Sequence, residues 1–444
     1  MEPVDTLVPA RWVIPVEPDG RVLEDHAVAI RDGRIVAIVP SDEARRRFDA
    51  REVVERPSHA VLPGLVNAHT HAALVLQRGR AENLPLDRWL PRAPWPLERL
   101  WSDPEYVRDG TELAIAEMLR GGVTCFADMQ PWPEVVASTA SAAHIRASVG
   151  LVVSETPTSW AGSADEYIDR GMRLRDEYRG DPLVNMHFAP QSTADATLAR
   201  VRRLADELDL RVAMRLQETA REVEQCIQDH GQRPLERLAA LGLASPQLLA
   251  IHMTQVEPRD IDLLAGSGVS VVHCPESNLR LGVGVCPVAR LLGRGVAVAL
   301  GTDGAAANND LDLLAEARIA GLVSAGVAAT PGDLVAGDLL RMATLEGARA
   351  LGLGEVTGSL LPGKWADLCC IDLRRARSWP VHDVATAVIY AASSQQVTDT
   401  WVAGRRLLAD TRLTLTDESA VLDRAESWRR RLDGVLPDES DTDP

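Results

Sequence analysis

Lysine is almost missing from this chain: Lys364 is the only one among 444 residues, set in the turn-like run Leu361-Pro362-Gly363-Lys364-Trp365. Positive charge as a whole is short, with 47 Lys and Arg against 64 Asp and Glu and a formal net charge of −17. That balance argues against nucleic acid or an anionic membrane as a partner, because phosphate contacts need clustered cationic side chains. No apolar run approaches the roughly 20 residues that cross a bilayer. The N-terminus also lacks a basic head followed by an apolar secretory core, so the expectation is a cytoplasmic protein that works on a small molecule. Cysteine is sparse too. The six, at 125, 226, 274, 286, 369 and 370, form no C-x-x-C pair, which favours buried, reduced thiols over a sulfur metal site.

What the chain does hold is core-forming material, 46% hydrophobic with 25% charged residues, the balance of a globular protein. Residues 6 to 60 read as strands. Apolar runs at 27–30 and 35–39 flank Arg31-Asp32-Gly33-Arg34, whose Asp-Gly pair suits a tight hairpin. From Val61 the pattern changes to short apolar runs alternating with amphipathic stretches. Strands are expected at 61–67, 123–127, 147–153, 183–189, 211–216, 248–251, 269–273 and 296–301, and helices at 105–120, 193–208, 222–241 and 311–323. Eight strand-then-helix units favour a parallel (β/α)8 barrel over an open sheet. Strand signals return at 367–372 and 398–402, before a charged helix near 418–432 and an acidic tail expected to be disordered. The expected division is a small β domain from 1–60 and 355–415, a barrel over 61–354, and a C-terminal helix and tail over 416–444.

Chemistry in such a barrel collects where strands finish. Those positions carry His69 and His71, Gln191, Arg215 and Glu218, His252, His273 and Asp303. Residues i and i+2 of a strand share a face, so His69 and His71 can reach one ion. A divalent ion held by neutral imidazoles and a carboxylate lowers the pKa of bound water from about 16 toward 7. With it, Asp303 could take the proton of the water, Glu218 could protonate a ring nitrogen, and His252 could hydrogen-bond the attacking oxygen. His187 reads as a hydrogen-bonded core histidine and Asp128 as a structural acceptor.

Four runs carry a family resemblance: Val61-Leu62-Pro63-Gly64-Leu65-Val66-Asn67-Ala68-His69-Thr70-His71, His273-Cys274-Pro275-Glu276-Ser277-Asn278-Leu279, Gly301-Thr302-Asp303-Gly304 and Leu361-Pro362-Gly363-Lys364-Trp365-Ala366-Asp367-Leu368. In that order they resemble the amidohydrolase superfamily, and within it the 5-methylthioadenosine/S-adenosylhomocysteine deaminases and triazine-hydrolase-like proteins. The resemblance implies an α/β fold, a (β/α)8 TIM-type barrel of the metal-dependent hydrolase kind with a small β-sandwich domain from both termini. It also implies one zinc-type divalent ion, a homo-oligomer, and hydrolytic removal of an amino group from an adenine-like ring. Carried over by position, His69, His71 and Asp303 become metal ligands. Glu218, His252 and Asp303 become catalytic. Glu98, Gln191, Glu218 and Asp303 fall at substrate-binding positions, with Trp89 near the thioether end. Superfamily members with two ions often bridge them with a carboxylated barrel lysine, and Lys364 lies outside the barrel, so the expected centre is mononuclear.

The pattern breaks at three places. Arg215 stands where the family has a ligand histidine, Gln191 where it has a substrate-binding histidine, and Ala307 where serine is usual. Arginine stays protonated and offers only donors, so it cannot ligate a cation. Either Arg215 turns toward Glu218 or another carboxylate and leaves the ion to the other groups, or it neutralises Asp303 and Glu218 in the ion's place. The second case would make the protein a metal-free binding or assembly relative.

Overall fold

The computed structural model describes residues 1–80, 103–191, 194–328 and 332–433. Glu98, Trp89 and the acidic tail lie outside these residues. The chain opens with β1 (Glu2–Val13), β2 (Leu23–Arg31) and β3 (Arg34–Pro40), then β4 (Phe48–Val53) and β5 (Arg56–Pro63). Asp32 and Gly33 make the turn between β2 and β3 with φ of 50° and 74°, the left-handed pair that a two-residue hairpin matched to strand twist requires. The C-terminal segments β14 (Leu368–Asp372), β15 (Val397–Val402), β16 (Arg405–Ala409) and β17 (Arg412–Leu413) join the same sheet. Its order is β17-β16-β15-β14-β5-β1-β2-β3, with β4 on β1. Alternation sorts its side chains into two cores: Val8, Ala10, Val28 and Ile30 pack on one side, Leu7, Ala27 and Ala29 on the other.

Between these ends run eight parallel strands in sequential order: β6 (Leu65–Thr70), β7 (Val123–Asp128), β8 (Arg146–Val153), β9 (Val184–Pro190), β10 (Val212–Leu216), β11 (Leu248–His252), β12 (Ser270–His273) and β13 (Val298–Leu300). They are buried on both faces, as strands wrapped by helices must be. The helix Asp195–Leu208 shows how the outer ring is written: Leu198, Val201 and Ala205 form its buried stripe, and Asp209 closes it in the left-handed conformation at φ 52°.

Two expected elements divide. The run at 61–67 is two strands, because Val61, Leu62 and Pro63 pair with Cys370, Cys369 and Leu368 in the outer sheet and only Leu65 onward enters the barrel. Gly64 makes the crossing. Its N–H donates to Asp367 O, the next N–H to Gly122 O, and a Cβ here would lie 2.0 Å from Thr124 Oγ1. The helix expected at 222–241 is likewise two, Ala220–His230 and Pro234–Ala240. Gly231 at φ 70° caps the first, and Pro234, which has no N–H to give to an interior turn, starts the second.

The small sheet is fastened to the barrel by a buried ion pair. Arg146 at the start of β8 gives Nε and Nη2 to the two oxygens of Asp367, at 2.9 and 3.3 Å, and Nη1 to Pro182 O at 2.8 Å. Asp367 also accepts from the Ala403 N–H at 2.6 Å, and each partner is only 1% exposed. Removing one partner of such a pair strands the other charge away from water. Asp367→Ala is therefore expected to lower unfolding free energy by about 3–5 kcal/mol, measured by urea denaturation. A loss below about 1 kcal/mol, the value of an exposed pair, would show that the contact does not hold the two sheets together.

Candidate active site

The barrel closes between its last strand and its first, and the seam carries the donors. Asp303 N donates to His69 O at 3.0 Å, while Asn67 accepts from Thr302 N at 3.0 Å and donates to Thr302 Oγ1 at 2.8 Å. Gly301 allows this approach, since a Cβ there would stand 2.9 Å from the backbone of His69. Asp303 itself adopts φ 58°, in the left-handed region. The Nε2 atoms of His69 and His71 each lie 3.6 Å from Asp303 Oδ1. Nitrogens of His69 and His252 and a carboxylate oxygen of Asp303 all fall within 4.8 Å of one another.

Each group is aimed by a neighbour. Ser277 Oγ donates to Asp303 Oδ2 at 2.7 Å, while Oδ1, which accepts from the Gly304 N–H at 2.9 Å, faces the two histidines. His252, at φ 74°, meets Asn278 Oδ1 through Nδ1 at 2.8 Å. Glu218 follows β10 and is held by Glu222, whose two oxygens accept from the N–H groups of Gln217 and Glu218 at 2.9 and 2.8 Å. Thr219 caps the following helix by accepting from Glu222 N, so Thr219-Ala220-Arg221-Glu222 is a capping sequence that also positions the glutamate. Asp128 accepts from Ala72 N at 2.7 Å, and His187 meets Ser148 Oγ at 3.0 Å.

Burial and neighbouring charge set the protonation states. Burial pushes the His71 imidazole down to about 3, reinforced by His69, and does the same to His187 and His273. His252 is also lowered by burial, against an opposing pull from Glu218. These rings are neutral near pH 7, the form that binds metals. Burial is the largest single influence on Asp303 and Glu218 and would raise both. The opposing groups together prevail, Arg215 with His69 and His71 on Asp303 and Arg215 with His252 on Glu218, and hold them below the usual carboxylate range.

Arg215 turns toward Glu218. Its Nε and Nη2 grip Oε2 and Oε1 at 3.0 and 2.7 Å, while Nη1 stays 3.9 Å from Asp303 Oδ1. The fork is thus committed to one carboxylate, and the side chain remains 32% exposed. The donor set still fits a divalent ion. Two ligands on a tetrahedral zinc stand about 3.4 Å apart, close to the 3.6 Å spacings here. The buried Nε2 atoms of His69 and His252 have no hydrogen-bond partner among the described residues, a cost that coordination would relieve.

Not every expected group is drawn in. Gln191 follows β9 at the exposed rim, its backbone N–H bound to Val153 O at 2.8 Å. All six cysteines are free, five of them buried. Ser277, Asn278 and Glu222 are the residues that reading the chain alone did not assign. The first two sit in the His273–Leu279 run already noted, and Glu222 was visible as the fourth residue of a T-x-x-E cap.

Comparison with known proteins gives the same frame. Residues 60–407 match the model of the Amidohydrolase family. The chain is 44% identical to 5-methylthioadenosine/S-adenosylhomocysteine deaminase from Teredinibacter turnerae, covering 97% of this chain and 98% of that one. It is 41% identical to the protein of the same name from Saccharophagus degradans, over 97% of each. Among solved structures, a zinc-bound adenosine deaminase from Xanthomonas campestris superimposes with a TM-score of 0.96 at 48% identity, covering 98% of this chain and 99% of that one. A zinc complex of atrazine chlorohydrolase from Arthrobacter aurescens gives 0.86 at 25% identity, covering 96% and 100%. With strand order, seam and paired histidines all in place, the chain belongs to the amidohydrolase family, among the 5-methylthioadenosine/S-adenosylhomocysteine deaminases.

Proposed function

We propose that this protein hydrolytically deaminates an adenine nucleoside thioether, 5-methylthioadenosine or S-adenosylhomocysteine, using one zinc-type divalent ion. The observation that carries the reading is the meeting of His69, His71 and Asp303 beside Glu218 at the mouth of the barrel. Relatives of that name at 44% and 41% identity, and the zinc-bound adenosine deaminase at 48%, support the substrate class and the ion. His69, His71 and Asp303 would hold the ion, which when bound lowers the pKa of water toward about 7. A single ion suits this chain because the Lys364 ammonium is committed elsewhere, to Gly354 O at 2.5 Å, Ser359 Oγ at 2.6 Å and Glu17 at 3.3 Å.

The chain's own groups handle the protons. Asp303, kept ionised and oriented by Ser277, accepts a proton from the attacking water. Glu218 delivers one to the ring nitrogen as water's oxygen bonds to the ring carbon. Asp303 passes its proton to the amino group, the carbon–nitrogen bond breaks and ammonia leaves, and the remaining hydroxyl proton returns to Glu218 as the ring carbonyl forms. His252 faces the same space. By the family resemblance Glu98 would offer acceptors to the two ribose hydroxyls, and Gln191, at the exposed rim, would offer an amide in place of an imidazole. Arg215 works against Glu218 in this scheme, because a carboxylate held by a bidentate guanidinium carries a proton poorly.

Ammonia release from both thioethers by zinc-loaded protein is the direct test. Glu218→Gln is expected to lower kcat by roughly 10²–10⁴-fold, and a zinc-replete protein that frees no ammonia from either compound rules the substrate class out. Arg215→His removes the opposing charge and adds an imidazole. It is expected to raise kcat/KM by about tenfold, which is about 1.4 kcal/mol of transition-state stabilisation; an unchanged or lower value at full metal occupancy would mean that the guanidinium assists the reaction.

A further inference from the structure

We propose that His252 occupies the coordination position that residue 215 has given up, so that the ion is held by His69, His71, His252 and Asp303. This rests on the reading above that the site binds a divalent ion, and it gives His252 a different task from the hydrogen bond to the attacking oxygen expected of it. The donor at 215 cannot be replaced in kind, since a guanidinium has no lone pair to offer. His69, His71 and Asp303 already supply the three protein ligands of a catalytic zinc, so a fourth would have to come from an uncommitted donor facing the same point.

His252 meets that description. It pairs with Leu216 across β10 and β11, one residue beyond Arg215, on the neighbouring strand. Its Nδ1 faces the side-chain amide oxygen Oδ1 of Asn278 at 2.8 Å, so Nδ1 carries the proton and Nε2 presents a bare lone pair. That Nε2 is buried and has no hydrogen-bond partner among the described residues. Glu218 does not claim it: Oε1 is 3.8 Å away, and both Glu218 oxygens are bound by the Arg215 fork. The ring stands edge-on to His69, centroids 5.9 Å apart, and its donor atom falls with those of His69 and Asp303 in a set lying within 4.8 Å of one another, while His71 Nε2 lies 3.6 Å from Asp303. His252 and Met253 are consecutive left-handed residues, φ 74° and 45°. Backbone of that kind persists where the surroundings fix it, and it clusters at functional sites. Here the Met253 N–H is tied to Leu216 O at 3.2 Å and the Thr254 hydroxyl to Glu218 O at 2.6 Å.

X-ray absorption fine structure of the zinc-loaded, unaltered protein counts imidazoles directly and needs no variant. Three support the proposal; two overturn it. Zinc affinity, by competition with a chromogenic chelator, provides the second measurement. His252→Gln is expected to weaken zinc by more than the roughly 10–100-fold that loss of an outer-shell partner costs, and Asn278→Ala to weaken it within that range. If His252→Gln keeps zinc at unaltered affinity but loses deaminase activity, His252 serves the attacking oxygen and the proposal falls while the deaminase reading stands. If the unaltered protein takes up no zinc, both fall.

Discussion

The seam between β13 and β6 is the contact on which the site depends. Asn67 and Thr302 are 235 residues apart, yet they exchange two hydrogen bonds, and Asp303 N reaches His69 O across the same join. A parallel sheet that did not close here would leave the two histidines at one edge and the carboxylate at the other. Closure is permitted by a missing atom: any side chain at Gly301 would collide with His69. The groups available for chemistry are therefore brought together by the same hydrogen bonds that make the sheet a barrel.

Around that seam the electrostatics differ from a simple hydrolase pocket. Asp303 and Glu218 supply two negative charges, and Arg215 already answers one of them through a two-bond fork. A divalent ion in the same space makes the local balance positive by one. The neutral, buried imidazoles can tolerate this because none needs to carry charge. Arg215 offers no lone pair and adds a cation, and its pairing with Glu218 keeps its fork on that carboxylate, 3.9 Å from Asp303.

Much of this was legible along the chain because it depends on local rules. Strand ends at His252, His273 and near Asp303 followed from short apolar runs bounded by turn residues, and Asp32-Gly33 announced its hairpin through left-handed preference alone. The misses have equally local causes. Residues 61–67 carry a Pro63-Gly64 break that the apolar residues on both sides masked, because both halves are buried strands; Thr124 packed against Gly64 marks where one sheet ends and the other begins. The helix pair inside 222–241 keeps one apolar period through Gly231 and Pro234, and the period concealed the stop signals that both residues carry.

The sequence by itself determined the alternation of strand and helix, the return of both ends to one small sheet, the donor types at the strand ends and the impossibility of a ligand at Arg215, because each follows from side-chain chemistry and short-range spacing. Tertiary structure alone decided which way the Arg215 fork turns, that Ser277 and Asn278 aim the carboxylate and the imidazole, and that His252 faces the same point as His69. Those outcomes depend on distances between strands far apart in the chain, and such distances exist only once the sheet has closed.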